Sequence, residues 1–352
     1  NYDILGLLIE KRSGIKYEEF IKKNILDRMG LNNTYMYSSE FEKDRMAQGY
    51  KQLFTEPRLY NAPSYKGNKP AGYIITNSKD MEKWLKIQLG TLKESEFSNS
   101  IIEESHIADR RVEQLQDGSS YGSGWFVYQN GGGEISHGGN NPNYSSFILF
   151  RPKDKVGIAV LSNTNSAYVE NIGNGINQIL LGEEDNVSNI TDLNMIADYI
   201  GVTIICVSII VIITILWLTI KALKELKEQK RYVDKKGKKG ILKVLSSMII
   251  MIILSYCIYL IPYIFYDGVD WEFVFIWLPS NIKWAFYLGY ACLWLVYCYF
   301  LLISFVKKKD DKSLLMLSLV SIASGLGNAL IILTINLAIN SDEKTKVNLI
   351  AV

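Results

Sequence analysis

No cysteine precedes Cys206; all four, Cys206, Cys257, Cys292 and Cys298, sit in apolar runs toward the C-terminal side. That excludes a thiol nucleophile and a cysteine-held zinc from the N-terminal part, and it leaves disulfides silent about compartment. Histidine is almost as scarce: only His106 and His137 occur, too few for a His-rich metal site. No metal and no cofactor is expected. Charge of one sign is lacking too, since 38 basic residues stand against 36 acidic ones. The chain opens on Asn1 rather than methionine and shows no signal peptide, so a fragment or a processed product is expected.

What is present changes character near residue 195. Before it, charged residues, glycines and turn residues mix as in a globular domain. After it come four runs without a charged residue, 199–220, 244–266, 284–306 and 313–341, each long enough to cross a bilayer as a helix. Trp217, Tyr266 and Trp284 stand at run ends, where interfacial aromatics anchor. Buried helices of a large soluble protein would be the alternative. The loops 221–243 and 307–312 are rich in lysine, whereas the loop between them carries Asp267, Asp270 and Glu272. The positive-inside rule places the Lys-rich loops in the cytoplasm and the N-terminal part outside. A basic loop could also read as a nucleic-acid patch, but between two spans it reads as a topology signal with contact to anionic lipid. The partners expected are the bilayer and a small substrate, and no nucleic acid.

The N-terminal part reads as helices, then strands, then a helix. Ile4, Leu7 and Leu8 give a helical period that Gly14 stops; Phe20, Ile21, Ile25 and Met29 repeat it before Gly30. Ser78 is placed to cap a third helix that Gly90 ends. Gly131–Gly132 predicts a hairpin between strand-like stretches, and a phosphate loop is disfavoured because no Lys-Ser/Thr helix follows. "RPKDK" predicts a second hairpin, and Val169, Ile172, Ile176 and Ile179 line a closing helix. A layered α/β or α+β domain with an antiparallel sheet is expected.

Four segments occur in an order that resembles the serine β-lactamase and penicillin-binding-protein superfamily, on its class C β-lactamase-related branch. Residues 1–36 look like that family's helix pair after its Tyr-x-Asn motif. "AGYIITNSKDMEKWL" looks like its segment with Ser-Thr and Asp-Met, "YGSGWFV" like its Tyr-Gly-x-Gly-Trp strand, and "SHGGNNPNYSSFILFRPKDKVGIAVLSN" like its third motif with two strands. The resemblance implies a partial β-lactamase-like domain over residues 1–183; polar composition, the apolar runs and the loop charges add a linker at 184–198, a four-helix transmembrane region at 199–341 and an external tail at 342–352.

The family's nucleophile lies in a Ser-x-x-Lys motif and its catalytic tyrosine in Tyr-x-Asn. Both are expected upstream of Asn1, and no Ser-x-x-Lys of the N-terminal part stands in a suitable place. By the resemblance, His137, Gly138 and Gly139 correspond to the family's Lys-Thr-Gly. The resemblance puts that motif on a sheet-edge strand, where glycines let substrate backbone approach. It also makes the Asn140 amide one oxyanion-hole donor and His137 an orienting group; a solvated histidine ending a strand is the other reading. Asn143 departs from the family, which has glycine there. His106 has no counterpart and is expected on a surface or loop. The activity implied is acyl transfer by a membrane-anchored extracytoplasmic serine hydrolase on a β-lactam, a cell-wall or other small peptide, or an ester. A sensor module that has lost catalysis is the alternative.

Overall fold

A computed structural model describes residues 1–92, 98–109, 111–129, 133–183, 192–265 and 268–309. Contacts divide the chain into two units, one holding Asn1–Lys51 with Pro57–Leu193, the other Gln52–Glu56 with Asn194–Asn340.

The first unit opens with α1 (Tyr2–Ser13), ended by Gly14 at φ 74, and α2 (Tyr17–Ile21), which widens into a π-turn over Lys22–Leu26. Gly30, at φ 62, turns the chain away. A short hairpin follows, β1 (Tyr50–Leu53) with β2 (Glu56–Leu59), then α3 (Ser78–Gln88) and α4 (Asn99–Ser105). The cap of α3 is Asn77, one residue before the expected Ser78: its side chain accepts the Asp80 amide at 2.9 Å. Asp80 itself is buried and accepts from the Asn33 amide at 2.7 Å and the Thr34 hydroxyl at 2.8 Å. One carboxylate thus joins the start of α3 to the loop after α2, with charge-assisted bonds that match its desolvation.

Five antiparallel strands form the sheet in order β3 (Ser119–Tyr121), β4 (Phe126–Tyr128), β5 (Ile135–Asn141), β6 (Tyr144–Arg151) and β7 (Val156–Ser162). The β6–β7 hairpin falls where "RPKDK" predicts it. The β4–β5 pairing agrees with the other hairpin, while Gly131 and Gly132 lie outside the described residues. A strand's side chains alternate between faces, and both faces here are covered. Leu85, Leu89, Trp125, Val127, Ile135 and Phe150 pack between α3 and one face. Phe147, Leu149, Ile158 and Val169 pack between the other face and α5 (Tyr168–Leu181). That is why "SSFILF" reads as a nearly unbroken apolar run.

The closing helix forms as expected, but it buries a different stripe. Val169, Gly173 and Asn177 face inward, whereas Ile172, Ile176 and Ile179 are exposed. A Cβ at Gly173 would lie 2.3 Å from the Phe147 ring, so the absent side chain sets how near α5 approaches the sheet. On α1 likewise, Ile4, Leu7 and Leu8 are exposed and Gly6 is buried.

The second unit contains α6 (Leu193–Lys227), β8 (Arg231–Val233), α7 (Lys238–Phe265), α8 (Trp271–Trp277), α9 (Ser280–Phe305) and β9 (Val306–Lys308). Three of its helices, α6, α7 and α9, are long and apolar enough to cross a membrane by length and composition. α6 contains the first expected apolar run, and α7 and α9 cover the next two to within one residue; α6 begins before 199, in the stretch read as linker. The fourth expected run, 313–341, lies outside the described residues. Strands β8 and β9 pair, and Arg231 bonds Glu225 at 2.7 Å beside them. Within this unit Asp198 is buried and accepts the amides of Phe54 and Thr55 at 3.1 and 2.5 Å. Those two residues have φ 53 and 67, a left-handed turn normally left to Asn and Gly, held here by a carboxylate.

Candidate active site

The strand that carries the third-motif residues has two unlike halves. β4 pairs with β5 only at Ile135 and Ser136, whereas β6 pairs with β5 along its whole length, from Ile135 against Phe150 to Asn141 against Tyr144. β5 is therefore not an edge strand throughout, as the motif comparison implied. It becomes one from His137 onward, because the chain enters β4 only at Phe126, after the turn at Gly122–Gly124.

The β5–β6 turn has two residues, Pro142 and Asn143. In such a hairpin the flanking pair, Asn141 with Tyr144, exchanges the ladder hydrogen bonds, and alternation follows from there. Asn140 and Gly138 then aim their main-chain groups away from β6, toward the side without a strand. Asn140 is exposed and Gly138 half-buried. Gly139 has a nearer cause than substrate access, since a Cβ there would lie 2.2 Å from the Ser146 hydroxyl on β6.

His137 shares the α3-facing side of β5 with Ile135, which puts its imidazole among rings rather than in solvent. Ring centroids of Tyr121, Trp125 and Phe126 lie 6.0, 6.4 and 5.9 Å away. Its Nε2 is 3.2 Å from the Tyr121 hydroxyl. Burial pushes its pKa down, partly offset by a hydrogen bond to the Gly138 main chain. Burial thus favours the neutral form of the ring. The Tyr121 hydroxyl is pushed up by burial and by its bond to Tyr2. Trp125 and Tyr121 come from the "YGSGW" match; Tyr2 was not singled out in the sequence, and nothing there distinguishes it from an ordinary helix residue.

Asn143 shows what replaces the family's glycine. It is buried, its amide donates to the Tyr60 carbonyl at 2.8 Å, and Gly49 packs against it. Beside it Tyr144 donates to the Ala47 carbonyl at 2.7 Å and Asn163 to Gln48 at 2.9 Å. The departure thus fastens Tyr60, just after β2, to the β5–β6 turn, while Tyr144 and Asn163 hold the residues just before β1.

His106 lies in the turn after α4, half-buried against the core rather than open to solvent. Its Nε2 is 2.8 Å from Gln88 Oε1, its ring packs on Phe150 at 5.0 Å, and burial pushes its pKa to about 4. Ser13 and Lys16 form the single Ser-x-x-Lys spacing within residues 1–183. The left-handed Gly14 lies between them, so the two side chains do not share one helix face. Among the described residues no cluster of His, Cys, Asp or Glu is arranged to hold a metal ion.

Among characterised proteins, Protein flp of Staphylococcus aureus is 26% identical over 285 residues, covering 81% of this chain and 56% of that protein. Penicillin-binding protein 4* of Bacillus subtilis is 27% identical over 205 residues, covering 53% of this chain and 44% of that protein. The chain thus spans about half the length of these relatives. The solved octameric penicillin-binding protein homologue from Pyrococcus abyssi is 33% identical, covering 52% of this chain and 42% of that one, with a TM-score of 0.46. The family model described as Beta-lactamase matches residues 1–182. By that match, which takes in α1 through α5 and the open half of β5, this chain belongs to the β-lactamase family.

Proposed function

We propose that the chain is part of a membrane-anchored extracytoplasmic serine hydrolase that works through an acyl-enzyme. In this reading residues 1–183 supply the rear of the acylating pocket, and the Ser-x-x-Lys and Tyr-x-Asn groups come from sequence outside residues 1–352. One observation carries it: β5 loses its β4 partner at His137, so the Asn140 amide points into an open edge. Such a donor, aimed where negative charge develops, is worth about 2.7–4 kcal/mol of transition-state stabilisation. Gly138, on the same edge, would pair with substrate backbone. The substrate class is a β-lactam, a cell-wall or other small peptide, or a simple ester.

Two observations support the membrane layout. The match to Protein flp runs over 285 residues, longer than the 182 of the family match, so it extends into the helical region. Strands β8 and β9 pair the 221–243 loop with the start of 307–312, which requires both Lys-rich loops on one side. The positive-inside rule makes that side cytoplasmic and puts residues 1–183 outside. The fourth span at 313–341 and the external tail at 342–352 complete this topology.

The test is acylation of the full-length protein by fluorescent penicillin and fluorophosphonate. Asn140→Ala keeps the main-chain donor and should label as the parent does. Asn140→Pro removes the donor and should label about 10²–10³-fold more slowly. Equal labelling of the two variants would refute the amide's role; no labelling of the parent by either reagent would favour a sensor module without catalysis.

A further inference from the structure

The β1–β2 hairpin belongs to both units: its tip, Gln52–Glu56, groups with the helices, and the rest of its strands with the first unit. The tip is an unfavourable turn. Phe54 and Thr55 sit at φ 53 and 67, and threonine there is an outlier because its β-branch crowds the left-handed backbone. Phe54, Thr55 and Glu56 are exposed, so side-chain burial does little to hold the turn. A donor pair holds it instead. Successive amides in a turn form a concavity for an anion. Here the amides of Phe54 and Thr55 meet the Asp198 carboxylate at 3.1 and 2.5 Å.

Asp198 is 1% exposed, and its main chain has a second task. Its carbonyl accepts the Asn281 side-chain amide, from α9, at 2.7 Å. Gly201, three residues on along α6, leaves room for that amide: a Cβ there would lie 2.8 Å from Asn281 Nδ2. One residue thus bonds α9 with its carbonyl and the hairpin tip with its carboxylate. At the other end of the hairpin, Tyr60 donates its amide to the Gly49 carbonyl at 2.9 Å and accepts from Asn143 at 2.8 Å. Asn143 stands three residues after Asn140.

Resting on the reading of residues 1–183 as the rear of an acylating pocket, we infer that Asp198 is a positioning residue, a lock through which the membrane helices control the acylating edge. Docked, its carboxylate stabilises the left-handed turn, and the hairpin keeps its grip on the β5–β6 turn. Released by a shift of α6 against α9, Phe54 and Thr55 relax out of the left-handed region. The hold on Asn143 then loosens, and the Asn140 amide loses its aim. Simple anchoring of α6 is the competing account.

The experiment follows amide hydrogen exchange over residues 52–56 and the rate of fluorophosphonate labelling in the full-length protein. The Phe54 and Thr55 amides should be protected in the parent. Asp198→Ala should speed their exchange about tenfold or more, as loss of two charge-assisted bonds requires, and slow labelling about fivefold or more. Asp198→Asn keeps one acceptor oxygen and the side-chain size; it should fall between, and it serves where the alanine variant does not fold. Adding Phe54→Asn with Thr55→Gly, a pair that adopts this turn unaided, should restore labelling in either Asp198 variant. Anchoring of α6 alone predicts no such rescue. Unchanged exchange in the Asp198 variants, fast exchange with unchanged labelling, or failure of the rescue would each overturn the lock. Protected amides in a parent that neither fluorophosphonate nor penicillin labels would leave the docked turn standing and sink the acylation reading instead.

Discussion

The two histidines occupy neighbouring regions with opposite meanings. His106 lies where α4 meets the core, bonded to Gln88 and packed on Phe150. His137 lies where β5 loses a neighbour, bonded to Tyr121. Trp125 contacts both rings, at 6.4 Å in each case. Burial lowers both pKa values. A depressed pKa therefore does not mark the site; what separates the two is the strand edge that begins at one of them and is absent at the other.

The comparison can be broken most severely at the shared wall. Trp125→Ala should cost about 3–5 kcal/mol in denaturant unfolding, and it should disturb the NMR signals of both histidines together. If only one moved, the two regions would not share a packing unit. A smaller effect is expected on the site side alone. Gly139→Val should cost about 1–3 kcal/mol by overpacking against Ser146. Ser146→Gly should restore much of that loss, as melting curves of the single and double variants would show. A lone effect without rescue would mean that Gly139 answers to something other than Ser146.

Smaller still is the acid response of the core side. His106 titrates near 4 when folded and near its ordinary 6.5 when unfolded. The unfolded chain therefore binds the extra proton between those values, and stability is full above about pH 6.5 and falls as pH drops toward 4. Partial exposure limits the loss to about 1–2 kcal/mol. His106→Leu should flatten that part of a pH–stability curve, and an unchanged slope would contradict the burial argument. His137→Gln should alter the same curve less, and its larger effect should be on acylation rate.

Much of this was legible in residue order. Gly14, Gly30 and Gly90 end their segments at positive φ, because they are read by a local rule that tertiary context seldom overrides. The β6–β7 hairpin follows for the same reason. The buried faces of α1 and α5 were not legible. Apolar period selects a stripe, but Gly6 and Gly173 decide which stripe lies nearest the fold, since a missing side chain is what permits close approach. The loop position of His106 was legible but its partial burial was not, because one histidine in a polar stretch gives no sign of the Trp125 and Phe150 rings that meet it from far along the chain. Of the site, the strand and its turn could be read from "SHGGNNPNYSSF". The partner at Tyr2 could not, being 119 residues from Tyr121. Nor could the loss of β4 pairing at His137, which depends on where the neighbouring strand begins.

The most direct measurement is to locate the adduct formed when full-length protein is treated with fluorophosphonate or penicillin, by mass spectrometry of its peptides. The account predicts one modified serine, in a Ser-x-x-Lys sequence outside residues 1–352, with modification slowed by Asn140→Pro. A modified serine anywhere between Asn1 and Val352 would contradict it.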